Sequence, residues 1–424
     1  MGMVLKVKKN THIDANAVLV YLIMFFSNDT YLFGTNSNAM VVTFSRYMLI
    51  AMCMLLLLKM NFKINLTAQK GKIIAYAFIV AAYIVIAIIN NELFNRVIIK
   101  VLCITVAFLL CMLLNFDEYI EAFKKAIYFV SISAVAFTLL AYILPGVVRM
   151  FPYIVNTAGI KIYTCLFAGL IDGTIGNLAI RTQGIYWEPG VFQLYLNLAI
   201  AFELFGRRAI NRNRLMIYFI ALILTFSTTG YAAGAWIMLA YALVVRKQGD
   251  TTTSITKRFL IVTGLFFAAV VVLLCTEVGD VVLGKVINPT SSGTAMVRLA
   301  GVVVNIEIAL QHPWHGIGME AITEEFVRVS MASNIVLGWT EQNTNTLFYQ
   351  FAAHGIPYGI LFTIGTFKFG NNFPGRKKLV WIVFVTLVLM YVGENLQYSS
   401  LPYILIFYGF GWKDKGNRFL ETHE

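Results

Sequence analysis

The sequence predicts an all-α, polytopic membrane protein with about twelve transmembrane helices and two long extracytoplasmic loops containing short amphipathic helices. Three observations predict it. Of the 424 residues, 59% are hydrophobic and 13% charged, against roughly 45–50% and about 25% in soluble domains. The apolar residues form long unbroken runs, not the alternation of a barrel strand. The cations gather in every second connection between those runs. A water-soluble globule, a disordered chain, a disulfide scaffold and an outer-membrane barrel are all excluded.

A helix needs about 20 apolar residues to cross the hydrocarbon core. Such runs fall at 15–35, 39–58, 73–91, 97–115, 126–145, 190–206, 215–229, 230–246, 259–277, 345–368, 379–396 and 399–412. The pair 215–229 and 230–246 almost touch, at Ser227-Thr228-Thr229-Gly230. No cleavage site follows the first run, so the first span is expected to stay. Cys53, Cys103, Cys111, Cys165 and Cys275 have no CxxC spacing and read as small hydrophobes.

The net charge is +12. With the N-terminus placed in the cytoplasm, 23 of the 33 Lys and Arg fall in cytoplasmic segments and seven outside. The bias holds at every cytoplasmic loop, so both termini are expected inside. Residues 1–424 then form one integral membrane domain with extracytoplasmic loops at 146–189 and 278–344. Loops of that length are usually functional, which puts any chemistry on the outer face of the membrane. The positive charge marks topology, and no nucleic-acid partner is expected. No internal repeat supports an inverted-repeat transporter.

The apolar parts of the first loop suggest short helices lying on or dipping into the membrane. The loop ends in Arg181-Thr-Gln-Gly184-Ile-Tyr-Trp-Glu188-Pro189. Pro189 suits the first turn of a helix, leaving Glu188 at its N-terminus. Two readings fit: a site carboxylate beside Arg181, or a helix-dipole carboxylate with a snorkelling Arg.

The second loop opens on a turn cluster and continues as an amphipathic helix from about Ala295 to Gln311, capped by Thr294 or Ser292. Arg298 and Asn305 share one face of it, with Gly301 between them. His312-Pro313-Trp314-His315-Gly316-Ile317-Gly318 follows. A glycine turn brings backbone N–H groups close to an anion. With Arg298 it reads as a phosphate cradle, or else as an interfacial helix with a belt Trp.

The loop closes on Glu341-Gln-Asn343-Thr344-Asn345-Thr346-Leu-Phe-Tyr349. These polar groups at a span mouth suit sugar hydroxyls, and Asn343, Thr344 or Asn345 equally suits a helix cap. His312 and His315 lack metal-ligand spacing, and no metal or cofactor is expected. There is no P-loop and no nucleophile elbow. Asn28, Asp29, Arg46 and Glu394 are polar within spans. They are functional candidates by default, with helix–helix pairing as the plainer reading. Asp29 and Glu394 lie near the outer face.

Together these segments resemble the O-antigen and capsule polymerase family (Wzy proteins) and the related O-antigen ligases. The resemblance rests on Arg181-x-x-Gly184 with Glu188-Pro189 at a span start, on Arg298 leading to His312-Pro313-x-x-Gly316-x-Gly318, and on Asn345 with Gly355 ten residues on. It covers about 181–360. Many ligases carry His where this chain has Thr344, which favours the polymerase.

The resemblance implies a GT-C-like fold in the bacterial inner membrane. It also implies a metal-independent glycosyltransferase of lipopolysaccharide, capsule or exopolysaccharide biosynthesis. A glycan on undecaprenyl diphosphate would pass to a sugar hydroxyl of another lipid-linked repeat unit. A flippase and a chain-length regulator would be membrane partners. Arg181, Arg298, Gly316 and Gly318 would hold the diphosphate. Asn343, Thr344, Asn345 and Tyr349 would hold sugar, and Glu188 would be the base, with His312 and Glu341 in reserve. A ligase is the nearest alternative. A lipid-linked oligosaccharide flippase would instead spread polar residues through many spans.

Overall fold

A computed structural model describes residues 14–27, 29–34, 66–155, 159–165, 167–175, 180–244, 294–333, 343–374 and 377–411, and residues 47, 50, 51, 55 and 264 singly. The described chain is mainly helical with one small sheet. Among the described residues three helices are long and apolar enough to cross a membrane: Gln69–Ile89 (the apolar part of Leu66–Ile89), Phe94–Leu113 and Phe116–Ile143. Ala15–Phe25, Pro189–Phe205 and Leu401–Gly411 are apolar but shorter. The expected spans 39–58 and 259–277 lie almost wholly outside the described residues, as do Asn28 and Arg46.

The helix ends follow local chemistry. Asp14 accepts from the amides of Asn16 and Ala17 at the start of Ala15–Phe25. Asn115 and Glu118 form a reciprocal capping box at the start of Phe116–Ile143. Asn211 caps Arg212–Leu224 through the amide of Arg214. Phe116–Ile143 starts ten residues before the expected span 126–145. Lys124 lies inside the helix, 1% exposed. It pairs with Glu121 at 2.9 Å and Glu203 at 3.3 Å, and Arg214 joins Glu121 at 2.6 Å. A charge is tolerated in the core when partners surround it in this way. The network ties together the helices Phe116–Ile143, Pro189–Phe205 and Arg212–Leu224.

Two expectations are corrected. The first loop holds a three-stranded antiparallel sheet, Tyr153–Val155, Lys161–Cys165 and Ala168–Ile171, in sequential order. Tyr153 faces Tyr163, and Ile162 faces Ile171. These β-branched and aromatic residues favour strands, and among the described residues the helices expected there are the short Pro145–Val148 turn and a 3₁₀ turn at Asp172–Thr174. The expected span 345–368 is two helices, Leu347–His354 and Ile356–Phe369, broken at Gly355 with φ +84°. The break admits the backbone of Trp314 and His315, which a Cβ at 355 would strike.

Thr294–Gln311 forms as expected, and Gly318–Ala332 follows it. Thr294–Gln311 packs on Leu347–His354. Thr228–Val244 lies between Pro189–Phe205 and Lys377–Gly393. Ile356–Phe369 crosses Leu401–Gly411 at Gly365 and Gly409, whose lack of side chains lets the backbones meet. These contacts bring residues 181–190, 298–305, 343–346 and 393–395 to one place.

Candidate functional site

Residues 180–183 lead through a turn at Gly184-Ile185 into the first turn of Pro189–Phe205. The amide of Thr182 donates to the Leu224 carbonyl at 2.9 Å, and that of Trp187 to the Asp29 carbonyl at 3.0 Å. Gly184 has φ +58°, and a Cβ there would lie 2.8 Å from Val130 Cγ1. Only glycine fits that bend. Arg181 is half-buried. Its Nε donates to the Thr225 carbonyl at 2.8 Å and its Nη2 to the Phe226 carbonyl at 3.4 Å. This pins the guanidinium at the end of Arg212–Leu224, and three of its five N–H donors are left for other partners.

Glu188 takes the N-cap position of Pro189–Phe205 with extended backbone, but its side chain caps no amide. Its carboxyl stands beside that of Glu394, both crowding the α-carbon of Gly190. Burial pushes the Glu188 carboxyl above its ordinary range. The charges of Arg181 and Arg298 pull the other way without cancelling it.

Glu394 is 3% exposed and follows the end of Lys377–Gly393. Thr346 fixes its backbone: Thr346 Oγ1 donates to the Glu394 carbonyl and accepts the Leu396 amide at 3.0 Å, while the Thr346 amide donates to the Tyr391 carbonyl at 2.7 Å. A Cβ on Gly190 would strike Glu394 Oε1 and lie 3.3 Å from Glu188 Oε1. The two carboxyls meet over a glycine because no other residue leaves them room.

Arg298 reaches the same place from Thr294–Gln311. A Cβ on Gly393 would lie 3.5 Å from its Nε. Arg181 and Arg298 both act electrostatically on Glu188. Asp29 completes the surroundings, facing Glu394 and accepting the Tyr195 hydroxyl at 2.8 Å.

Beside Arg298 lies the Asn-Thr segment. Asn305 and Asn343 exchange amide hydrogen bonds at 2.9 and 2.8 Å, and Asn395 Nδ2 donates to the Asn343 carbonyl at 2.8 Å. Asn345 Oδ1 accepts the Phe348 amide at 2.7 Å, the helix-cap role left open above. Thr344 Oγ1, Asn345 Nδ2 and Asn395 Oδ1 are buried without a hydrogen-bond partner among the described residues. Buried polar atoms normally have one. Tyr349 stands apart, edge-on to His354 and close to Tyr83 and Glu92, with its hydroxyl also unpartnered.

The glycine turn lies elsewhere. Arg298 and His312 sit at opposite ends of one helix, about 20 Å apart at 1.5 Å per residue. Gly316 and Gly318 have φ of +63° and +82°. A Cβ on Gly316 would strike the backbone of Ala352 and Ala353, and one on Gly318 would lie 2.6 Å from Glu92 Oε1. The Ile317 amide donates to the Ala352 carbonyl at 3.1 Å, and the Met319 amide donates to the Glu92 carboxylate. The anion at this turn is thus a protein carboxylate. His312 faces Glu325 and is remote from Glu188. Glu341 lies outside the described residues. Among the described residues no three His, Cys, Asp or Glu side chains converge as metal ligands.

The structure therefore brings Arg181, Glu188, Arg298, Asn343, Thr344 and Asn345 together and leaves out His312, Gly316, Gly318 and Tyr349. It adds Thr346 and Gly190, and it places at the site Glu394 and Asp29, which the sequence offered as polar candidates near the outer face. No family model matches the chain, and no curated protein matches it.

Proposed function

We propose that this chain is a polysaccharide polymerase of the bacterial inner membrane. It would carry about twelve spans and cytoplasmic termini, with the Arg181–Glu188 site facing outside. The observation that supports this reading is the convergence of Arg181 and Arg298, 117 residues apart and from different loops, on the adjoining carboxyls of Glu188 and Glu394. Two guanidinium groups beside a carboxyl pair suit a reaction in which a diphosphate leaves and a hydroxyl loses its proton.

The donor is a glycan on undecaprenyl diphosphate and the acceptor a sugar hydroxyl of a second lipid-linked unit. The acceptor O–H bond breaks and its proton passes to Glu188. The acceptor oxygen bonds to the anomeric carbon as that carbon's bond to the diphosphate oxygen breaks. The lipid diphosphate departs with the electron pair. Arg181 and Arg298 stabilise that charge as it develops, and the diphosphate is acidic enough to leave without a proton donor. Thr344, Asn345 and Asn395 offer the acceptor sugar their unpartnered groups. Incubating the purified protein with a lipid-linked repeat unit tests the reading. A ladder of longer glycans is expected, and transfer to a lipid A acceptor instead would support a ligase.

A further inference from the structure

Glu188 and Glu394 stand 206 positions apart in the chain, and their carboxyls meet over Gly190, where a Cβ would strike Glu394 Oε1 and lie 3.3 Å from Glu188 Oε1. Two carboxylates have no donor between them, so one of the pair carries a proton. The surroundings decide which. Two cations, Arg181 and Arg298, face Glu188. Glu394 faces the same two arginines but a second carboxyl, Asp29, besides its partner Glu188. Tyr231 faces Arg181 from Thr228–Val244. Glu394 is also the more buried of the two. The ionised form is favoured at Glu188 and the neutral form at Glu394.

We propose that Glu394 is a protonated positioning residue whose carboxyl donates to Glu188, holding Glu188 ionised and oriented and keeping the pair at a single negative charge. The part of this that concerns catalysis rests on the reading of Glu188 as the base. On taking the acceptor proton the pair passes from one proton to two and from charge −1 to 0. The negative charge reappears on the departing diphosphate between the arginines. The Thr346 clamp on the backbone of 394 and the absence of a side chain at 190 keep the two carboxyls in contact.

The pair's proton content can be read without turnover. Infrared titration of the purified protein is expected to show a protonated-carboxyl C=O band at neutral pH that Glu394→Gln removes. Carboxyls coupled in this way interact by more than about one pK unit. In Glu188→Gln the band should therefore titrate at least about one pH unit lower than in the wild type, because the charge that holds the proton on Glu394 is gone. Glu394→Asp, one methylene too short to reach Glu188, should show a similar downward shift and serves if Glu188→Gln does not insert. Circular dichroism checks that each variant folds. Absence of the band at neutral pH, its survival in Glu394→Gln, or an unchanged titration in Glu188→Gln would each overturn the proposal. Because no glycan is involved, these outcomes are separate from failure of the transferase reading, which shows only in the product ladder.

Discussion

Asn305 and Asn343 exchange two amide hydrogen bonds, at 2.9 and 2.8 Å, and so join the helix that carries Arg298 to the segment that carries Thr344 and Asn345. Arg298 lies seven residues before Asn305, almost two turns along the same face. The amide pair therefore sets where Arg298 stands relative to the unpartnered groups of the Asn-Thr segment.

Asn305→Ala is expected to strand the Asn343 amide and cost about 1–3 kcal/mol, seen as a lower thermal midpoint in detergent. Adding Asn343→Ala should cost much less than its effect alone, since the pair is already broken. Strictly additive losses would show that the two amides do not act as a unit.

The arginines should separate. Arg298→Ala is expected to abolish glycan laddering while membrane insertion and thermal midpoint hold. Arg181→Ala should lose laddering and also lower the midpoint, because its guanidinium pins the Thr225 and Phe226 carbonyls. Lysine at either position should rescue poorly, since it lacks the planar fork. Normal laddering in either alanine variant removes that residue from the site.

Gly190→Ala introduces a methyl group where Glu394 Oε1 now stands. Expression and insertion should persist, but turnover should fall at least as far as in Glu188→Gln. Unchanged turnover would mean that the two carboxyls need not touch.

For Glu188→Gln we expect turnover to fall about 10²–10⁴-fold, the usual contribution of a base. Burial raises the folded-state value above the ordinary 4.5. The native protein then binds more protons than the unfolded chain between 4.5 and that raised value, so stability falls as pH rises through the window. Glutamine removes this penalty, and the variant's thermal midpoint at neutral pH should equal or exceed the wild type's. A midpoint well below the wild type's, with near-normal turnover, would return Glu188 to a structural role.

The Arg181–Glu188 stretch and the Arg298 helix were legible because their signals are local: charges beside glycines, a proline at a helix start, apolar residues at helical spacing. The Glu188–Glu394 contact was not legible, since nothing near either residue names a partner 206 positions away. The strands of the first loop were missed because short apolar runs read alike as helix or strand. The break at Gly355 depends on Trp314 docking there, which a continuous apolar run conceals. The Gly316–Gly318 turn does offer amides to an anion, but the anion is Glu92, from a distant helix connection.

The central claim is that the site transfers glycan from a lipid diphosphate to a second lipid-linked unit. The most direct measurement is the product distribution when purified protein is incubated with a chemically defined undecaprenyl-diphosphate-linked repeat unit, alone and with EDTA. The account predicts a ladder that grows by whole repeat units, releases free undecaprenyl diphosphate, survives EDTA and vanishes in Arg298→Ala. A competent substrate that stays monomeric, or a ladder that needs added Mg²⁺ or Mn²⁺, would contradict it.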